Sequence, residues 1–156
     1  SGGGSDGKDA SVEAAAAGLH LHPFFSALTA AETRAVRRQS RRFSVAMGQR
    51  LFQQGDRGSS MFFVASGVGI VFLEDGEGRR TVVGELTAGQ CVGELSLFRG
   101  ELRATTVVAS PAGVDVIEIG SDTLEGVLRA RPMLEDMIDD LVARRELEKR
   151  GNTWLL

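Results

Sequence analysis

Between residues 43 and 119 the apolar positions fall in short runs: RLF at 50–52, MFFVA at 61–65, GIVFL at 69–73, TVVGEL at 81–86, ATTVVA at 104–109 and VDVIEI at 114–119. Glycine-bearing breaks separate them at 55–58, 66–69, 76–78, 87–89, 99–101 and 111–113. Short runs at this spacing, with turn residues between them, predict an all-β sandwich or barrel. There is no room between them for the helices of ten or more residues that an α/β unit needs. Gly67 and Gly69 are expected to ease a hairpin, and Asp56, in QQGDRGSS, to shape a turn with its side chain.

The period changes at both ends of this region. Residues 12–18 are alanine-rich and can begin a helix, and Phe24 and Phe25 follow a turn at Pro23. Thr29 with Glu32 three places on is a capping-box pair, so a helix is expected from about 30 to 41. Its Ala31, Ala35 and Val36 are free to pack, while Arg37, Arg38, Arg41 and Arg42 form a solvated basic face. Past 120, Ser121 and Asp122 can cap a short helix over 122–130, and Pro132 opens another running to about 150. On that last helix Leu134, Met137, Ile138, Leu141 and Val142 form a single stripe. Its acids gather in the early turns and Arg144, Arg145, Lys149 and Arg150 at the other end, as the helix dipole favours.

Composition narrows the function classes. A chain of 156 residues suits one domain, and 18 Lys/Arg against 21 Asp/Glu leave a net charge of −3, which disfavours a general nucleic-acid binder. One cysteine, Cys91, and two histidines, His20 and His22, exclude a disulfide framework and a cysteine-rich zinc module. No apolar run is long enough for a membrane span, so a soluble fragment is expected. Residues 1–11, rich in Gly, Ser and charge, read as a disordered linker or cloning remnant, leaving 12–156 as the domain, with its β-region at about 43–120 and its last helices at about 122–150.

The chemistry concentrates in GQCVGELSLFRGELRATTV at 89–107. Gly93 permits close backbone approach to a ligand, and the N–H groups of Glu94, Leu95 and Ser96 could donate to an anion. Glu94 can accept hydrogen bonds from a sugar hydroxyl, and Arg103 offers a fork of donors suited to phosphate. Ala104 and Thr105 would add a small side chain and a hydroxyl beside the anion. By spacing alone, Glu94 and Arg103 suit a loop-closing salt bridge equally well. Phe62, Phe63, Phe72 and Phe98 read as core, Cys91 as a small wall residue rather than a nucleophile, and the two histidines lack partners for a metal. No convincing nucleophile, acid–base pair or metal set marks an enzyme.

The run resembles the phosphate-binding cassette of cyclic-nucleotide-binding domains: Val92, Gly93, Glu94, Leu95, Ser96, Leu97, then Arg103, Ala104, Thr105, Thr106, Val107. Upstream, LFQQGDRGSSMFFVASGVGIVF at 51–72 is similar to the family's turn and hairpin, and the resemblance covers roughly 23–150. Val92 stands where the family commonly has Phe. The resemblance implies a mainly β fold with flanking helices: a β-roll or jelly roll (double-stranded β-helix) of about eight strands, with N-terminal helices and a C-terminal lid helix. It implies that Arg103 meets the cyclic phosphate and Glu94 the ribose 2′-hydroxyl, with Gly93, Leu95, Ser96, Ala104 and Thr105 adjacent. Val82, Val83 and Val92 are apolar candidates beside the base, and Arg144 or Arg145 would lie across it by cation–π contact. The ligand implied is cAMP, with cGMP weaker because Ala104 has no hydroxyl. No other cofactor and no metal is expected.

Two kinds of effector fit. The compact ending is similar to the regulatory domains of bacterial cyclic-nucleotide-gated channels, which makes a membrane channel in the same parent chain the expected effector. That reading places a monomeric fragment on the cytoplasmic side of the cell membrane. The alternative is the sensor of a soluble regulator, either a transcription factor of the catabolite-activator type or a kinase subunit. A degenerate roll acting only in protein contact is the third reading.

Overall fold

Thr29 and Glu32 cap each other's helix end. The hydroxyl of Thr29 accepts from the Glu32 N–H at 3.1 Å, and the Glu32 carboxylate accepts from the Thr29 N–H at 2.8 Å. In the computed structural model, which describes residues 23–150, this box starts α2 (Ala30–Gln39), after the short α1 (Pro23–Ser26). The expected helix at 12–18 and both histidines lie outside the described residues. Helix α2 stops before Arg41, because Ser40 turns extended and donates its hydroxyl to the Val36 carbonyl. Arg41 and Arg42 therefore leave the expected basic helix face and begin strand β1 (Arg41–Val45), where they pair with Glu118 and Asp115.

The remaining strands are β2 (Arg50–Phe52), β3 (Ser60–Glu74), β4 (Arg80–Leu86), β5 (Cys91–Val92) and β6 (Thr106–Gly120). Helix α3 (Glu94–Arg99) lies between β5 and β6, and α4 (Ser121–Ala130) and α5 (Leu134–Arg150) follow β6. All pairing is antiparallel, in one six-stranded sheet of order β1-β6-β3-β4, with β2 on β6 and β5 on β3.

This corrects the eight-stranded roll. The domain mixes helices with an antiparallel sheet, and β1 and β4 each have one neighbour, so the sheet does not close into a barrel or jelly roll. Two glycine-bearing breaks that read as turns lie inside continuous strands of 15 residues each. At the first, β3 gains a residue between Val64 and Ser66; at the second, β6 runs from Val114 to Ala109 while β3 advances only from Gly67 to Gly69. Gly67 has φ +79°, and a Cβ on it would stand 2.2 Å from the Gly113 carbonyl oxygen. Glycine is required there by the close approach of two strands, not by a hairpin.

Alternation along β3 and β6 divides the core in two. Met61, Phe63, Ile117 and Ile119 face the helices and pack with Phe24, Val36, Leu97, Phe98, Leu124, Leu134, Ile138 and Leu141. Phe62, Val64, Val114 and Val116 face the other way and pack with Val45, Phe52, Val71, Leu86, Val92 and Val107. Helix α5 thus buries its stripe in the helical core. Among the described residues, no α5 side chain lines the hollows that flank Arg103, where the expected lid would close.

Candidate functional site

Helix α3 begins at Gly93, which has φ +91°; a Cβ there would lie 2.6 Å from Arg103 Nη1 and 3.1 Å from the Ser60 carbonyl. Conformation and space both demand glycine. The helix ends at Gly100, also left-handed, whose N–H returns to the Ser96 carbonyl. The Ser96 hydroxyl donates to the Glu101 carbonyl at 2.7 Å and secures the chain that leads to Arg103.

The 53–58 turn holds the arginine's backbone from the other side. Gly55 N–H donates to the Arg103 carbonyl at 2.8 Å, and Arg103 N–H donates to the Asp56 carbonyl at 2.9 Å. Asp56 shapes this turn as expected, its carboxylate accepting from the Gln53 N–H at 3.1 Å.

Arg103 is only 6% exposed. Nη1 donates to the Ser60 carbonyl at 2.6 Å and Nη2 to the Ser60 hydroxyl at 3.2 Å. Its guanidinium carbon lies 4.6 Å from the Phe52 ring centre and 5.4 Å from that of Phe62. Among the described residues no carboxylate forms an ion pair with it. Burial pulls its pKa below the ordinary arginine value, while Glu118 and Asp56, farther off, pull it back up. A buried cation without a paired anion is costly, and the in-plane N–H groups not used on Ser60 are suited to an anionic oxygen.

Six of the expected residues line one hollow together: Gly93, Leu95, Ser96, Arg103, Ala104 and Thr105, joined by Phe52, Glu101 and Leu102. This hollow is nearly closed, at about 10 Å³. On the other side of Arg103 a cavity of about 590 Å³ opens between β1, β2, the 56–60 segment and the start of α4.

The other expected residues lie elsewhere. Glu94 is 1% exposed but does not line the hollow; its Oε1 accepts from the Cys91 thiol at 3.0 Å. The loop-closing Glu94–Arg103 salt bridge does not form. Val92 is buried in the sheet-side core, Val83 packs against that core, and Val82 is 59% exposed on edge strand β4. Arg144 is exposed on α5, and Arg145 lies on the same helix with its side chain outside the described set. Sequence reasoning missed Phe52, Gly58 and Ser60. They reach the arginine only through tertiary contact, and the one local signal was a second glycine in the 55–58 turn.

Residues 42–131 match the family described as the cyclic nucleotide-binding domain. The chain belongs to that family. It is 26% identical over 109 residues to the cAMP-activated global transcriptional regulator CRP of Salmonella typhimurium, covering 68% of this chain and 52% of that protein. It is 34% identical over 93 residues to the cAMP-dependent protein kinase regulatory subunit of Mycosarcoma maydis, covering 60% of this chain and 18% of that one. In three dimensions it resembles the N-terminal domain of a transcriptional regulator from Streptomyces coelicolor A3(2), with a TM-score of 0.70 and 27% identity over 89% of this chain and 96% of that one. The chain spans about half the length of the first of these relatives.

These relatives correct the expected effector. They are transcription regulators and a kinase regulatory subunit, not channels, so the channel and membrane reading is set aside. No helix among the described residues is long and apolar enough to cross a membrane. By their names, these relatives are regulatory proteins rather than enzymes.

Proposed function

We propose that this domain binds cAMP at the 93–105 cassette and serves as the sensor of a regulator of the transcription-factor or kinase-subunit type. One observation carries the reading: Arg103 is buried, has no ion-pair partner among the described residues, and lies beside Gly93, Leu95, Ser96, Ala104 and Thr105. The names of the curated relatives, one cAMP-activated and one cAMP-dependent, support the choice of nucleotide.

The ligand's phosphate meets the free N–H edge of Arg103. The hollow is too small for a nucleotide, so the 100–102 stretch moves outward on binding while Ser60 and the 53–58 turn keep Arg103 in place; Leu102, already 57% exposed, rides on it. Glu94 reads the ribose hydroxyl by exchanging the Cys91 thiol for it. Ala104 offers no hydroxyl to a guanine amino group, which favours cAMP over cGMP.

Calorimetric titration tests the reading. The wild type binds cAMP more tightly than cGMP, and Arg103→Ala loses about 2–5 kcal/mol, roughly thirtyfold or more in Kd, while keeping its fold by circular dichroism. Equal affinity of the folded variant and the wild type would remove Arg103 from the site.

A further inference from the structure

The Arg103 guanidinium sits in a slot whose walls come from four places in the chain. The Phe52 and Phe62 rings lie 5.8 Å apart, tilted by 31°, and both present their faces to it. Ser60 takes two of its N–H groups. Gly93 and Gly58 lie against two more of its sides. A Cβ on Gly58 would stand 2.4 Å from Nε, 2.5 Å from Cζ and 2.5 Å from Nη2.

The means of holding the arginine matters for what it can bind. A carboxylate partner would occupy the in-plane N–H edge that a phosphate needs, and would neutralise the charge. An aromatic ring engages the flat face and leaves both edge and charge available. We propose that Gly58 and Phe52 are positioning residues: the missing side chain at 58 and the ring at 52 hold the Arg103 guanidinium where it meets the cyclic phosphate. This rests on the reading of Arg103 as the phosphate ligand.

Gly58 is a clean probe. Its φ lies outside the left-handed region, so alanine fits the backbone, and the clash falls on the movable tip of the arginine. Phe52→Leu removes the ring face but keeps most of the apolar volume in the sheet-side core.

The test titrates cAMP into wild type, Gly58→Ala, Phe52→Leu and Arg103→Lys, with thermal melts and the ¹⁵N-edited Nε–H resonance of Arg103 recorded on each ligand-free arginine-bearing protein. Gly58→Ala and Phe52→Leu are each expected to weaken cAMP by about tenfold, the effect of one misplaced charge-assisted contact. Gly58→Ala should also keep a wild-type melting temperature while its Nε–H resonance moves. Should Gly58→Ala fail to fold, Phe52→Leu decides by the same two readouts. Folded variants with wild-type affinity and an unmoved resonance would overturn the slot and leave the Arg103 reading standing. A wild type that takes up no cAMP, or an Arg103→Lys protein that binds equally well, would overturn that reading itself and the slot's role with it.

Discussion

Two partly or fully buried charged side chains show how differently this chain satisfies charge. Arg103 has aromatic faces and one serine; Asp115 has a full set of donors. Its carboxylate accepts from the hydroxyls of Ser44 and Ser66, the latter at 2.8 Å, and pairs with Arg42 at 3.4 Å. The Ser44 hydrogen bond, then Ser66 and Arg42, outweigh partial burial and hold its pKa below the ordinary 3.8. The unfolded chain therefore takes up a proton at higher pH than the folded one. The carboxylate's contribution to stability is complete above the ordinary carboxylate pKa and is lost as pH falls through the lower folded value. Asp115→Asn should cost about 1–2 kcal/mol at neutral pH, discounted for partial exposure. The gap to wild type should shrink below about pH 4. Urea unfolding of both proteins at several pH values checks this, and a gap that stays constant into acid would refute the assignment.

At the scale of elements, α3 links the site to the C-terminal helix. Gly93, Leu95 and Ser96 at its start line the hollow, while Leu97 and Phe98 pack in the helical core with Leu134, Ile138 and Leu141 of α5. Arg99, its last residue, pairs with Asp139 of α5. That ion pair is largely exposed and contributes little, so the apolar seam is what joins the two helices. If occupancy moves α3, α5 moves with it, by population shift between two packings. Spin labels at Asp140 on α5 and Glu85 on β4, both exposed, should change their distance distribution on saturation with cAMP. An unchanged distribution would leave α5 a static part of the core. How legible an element was depended on the reach of its contacts. The Thr29 capping box and the α5 stripe are set within a few residues, and both could be read from sequence. Gly67 and Gly113 answer to each other across two strands, so a pattern search mistook them for turns and split two long strands into four.

For the molecule as a whole, the cassette was legible because a short segment holds Gly93 and Arg103 close in sequence and in space. The rest of the arginine's surroundings was not. Phe62 read as core, which it is, and Phe52 was not singled out, yet the faces of both rings also seat the guanidinium; such double duty has no signature in one sequence. Nor did the residues indicate the effector, since one fold can serve different outputs, and it was the relatives that set the expected channel aside. Everything proposed for this domain turns on a cyclic phosphate docking on Arg103. The most direct measurement follows the Arg103 Nε–H resonance of the wild type during titration with cAMP, with adenosine as the phosphate-free control. A phosphate docked on Arg103 gives a saturable downfield shift and slowed water exchange with cAMP and neither with adenosine, because a charge-assisted hydrogen bond forms only to the anion. A resonance that stays put while cAMP binds would contradict it.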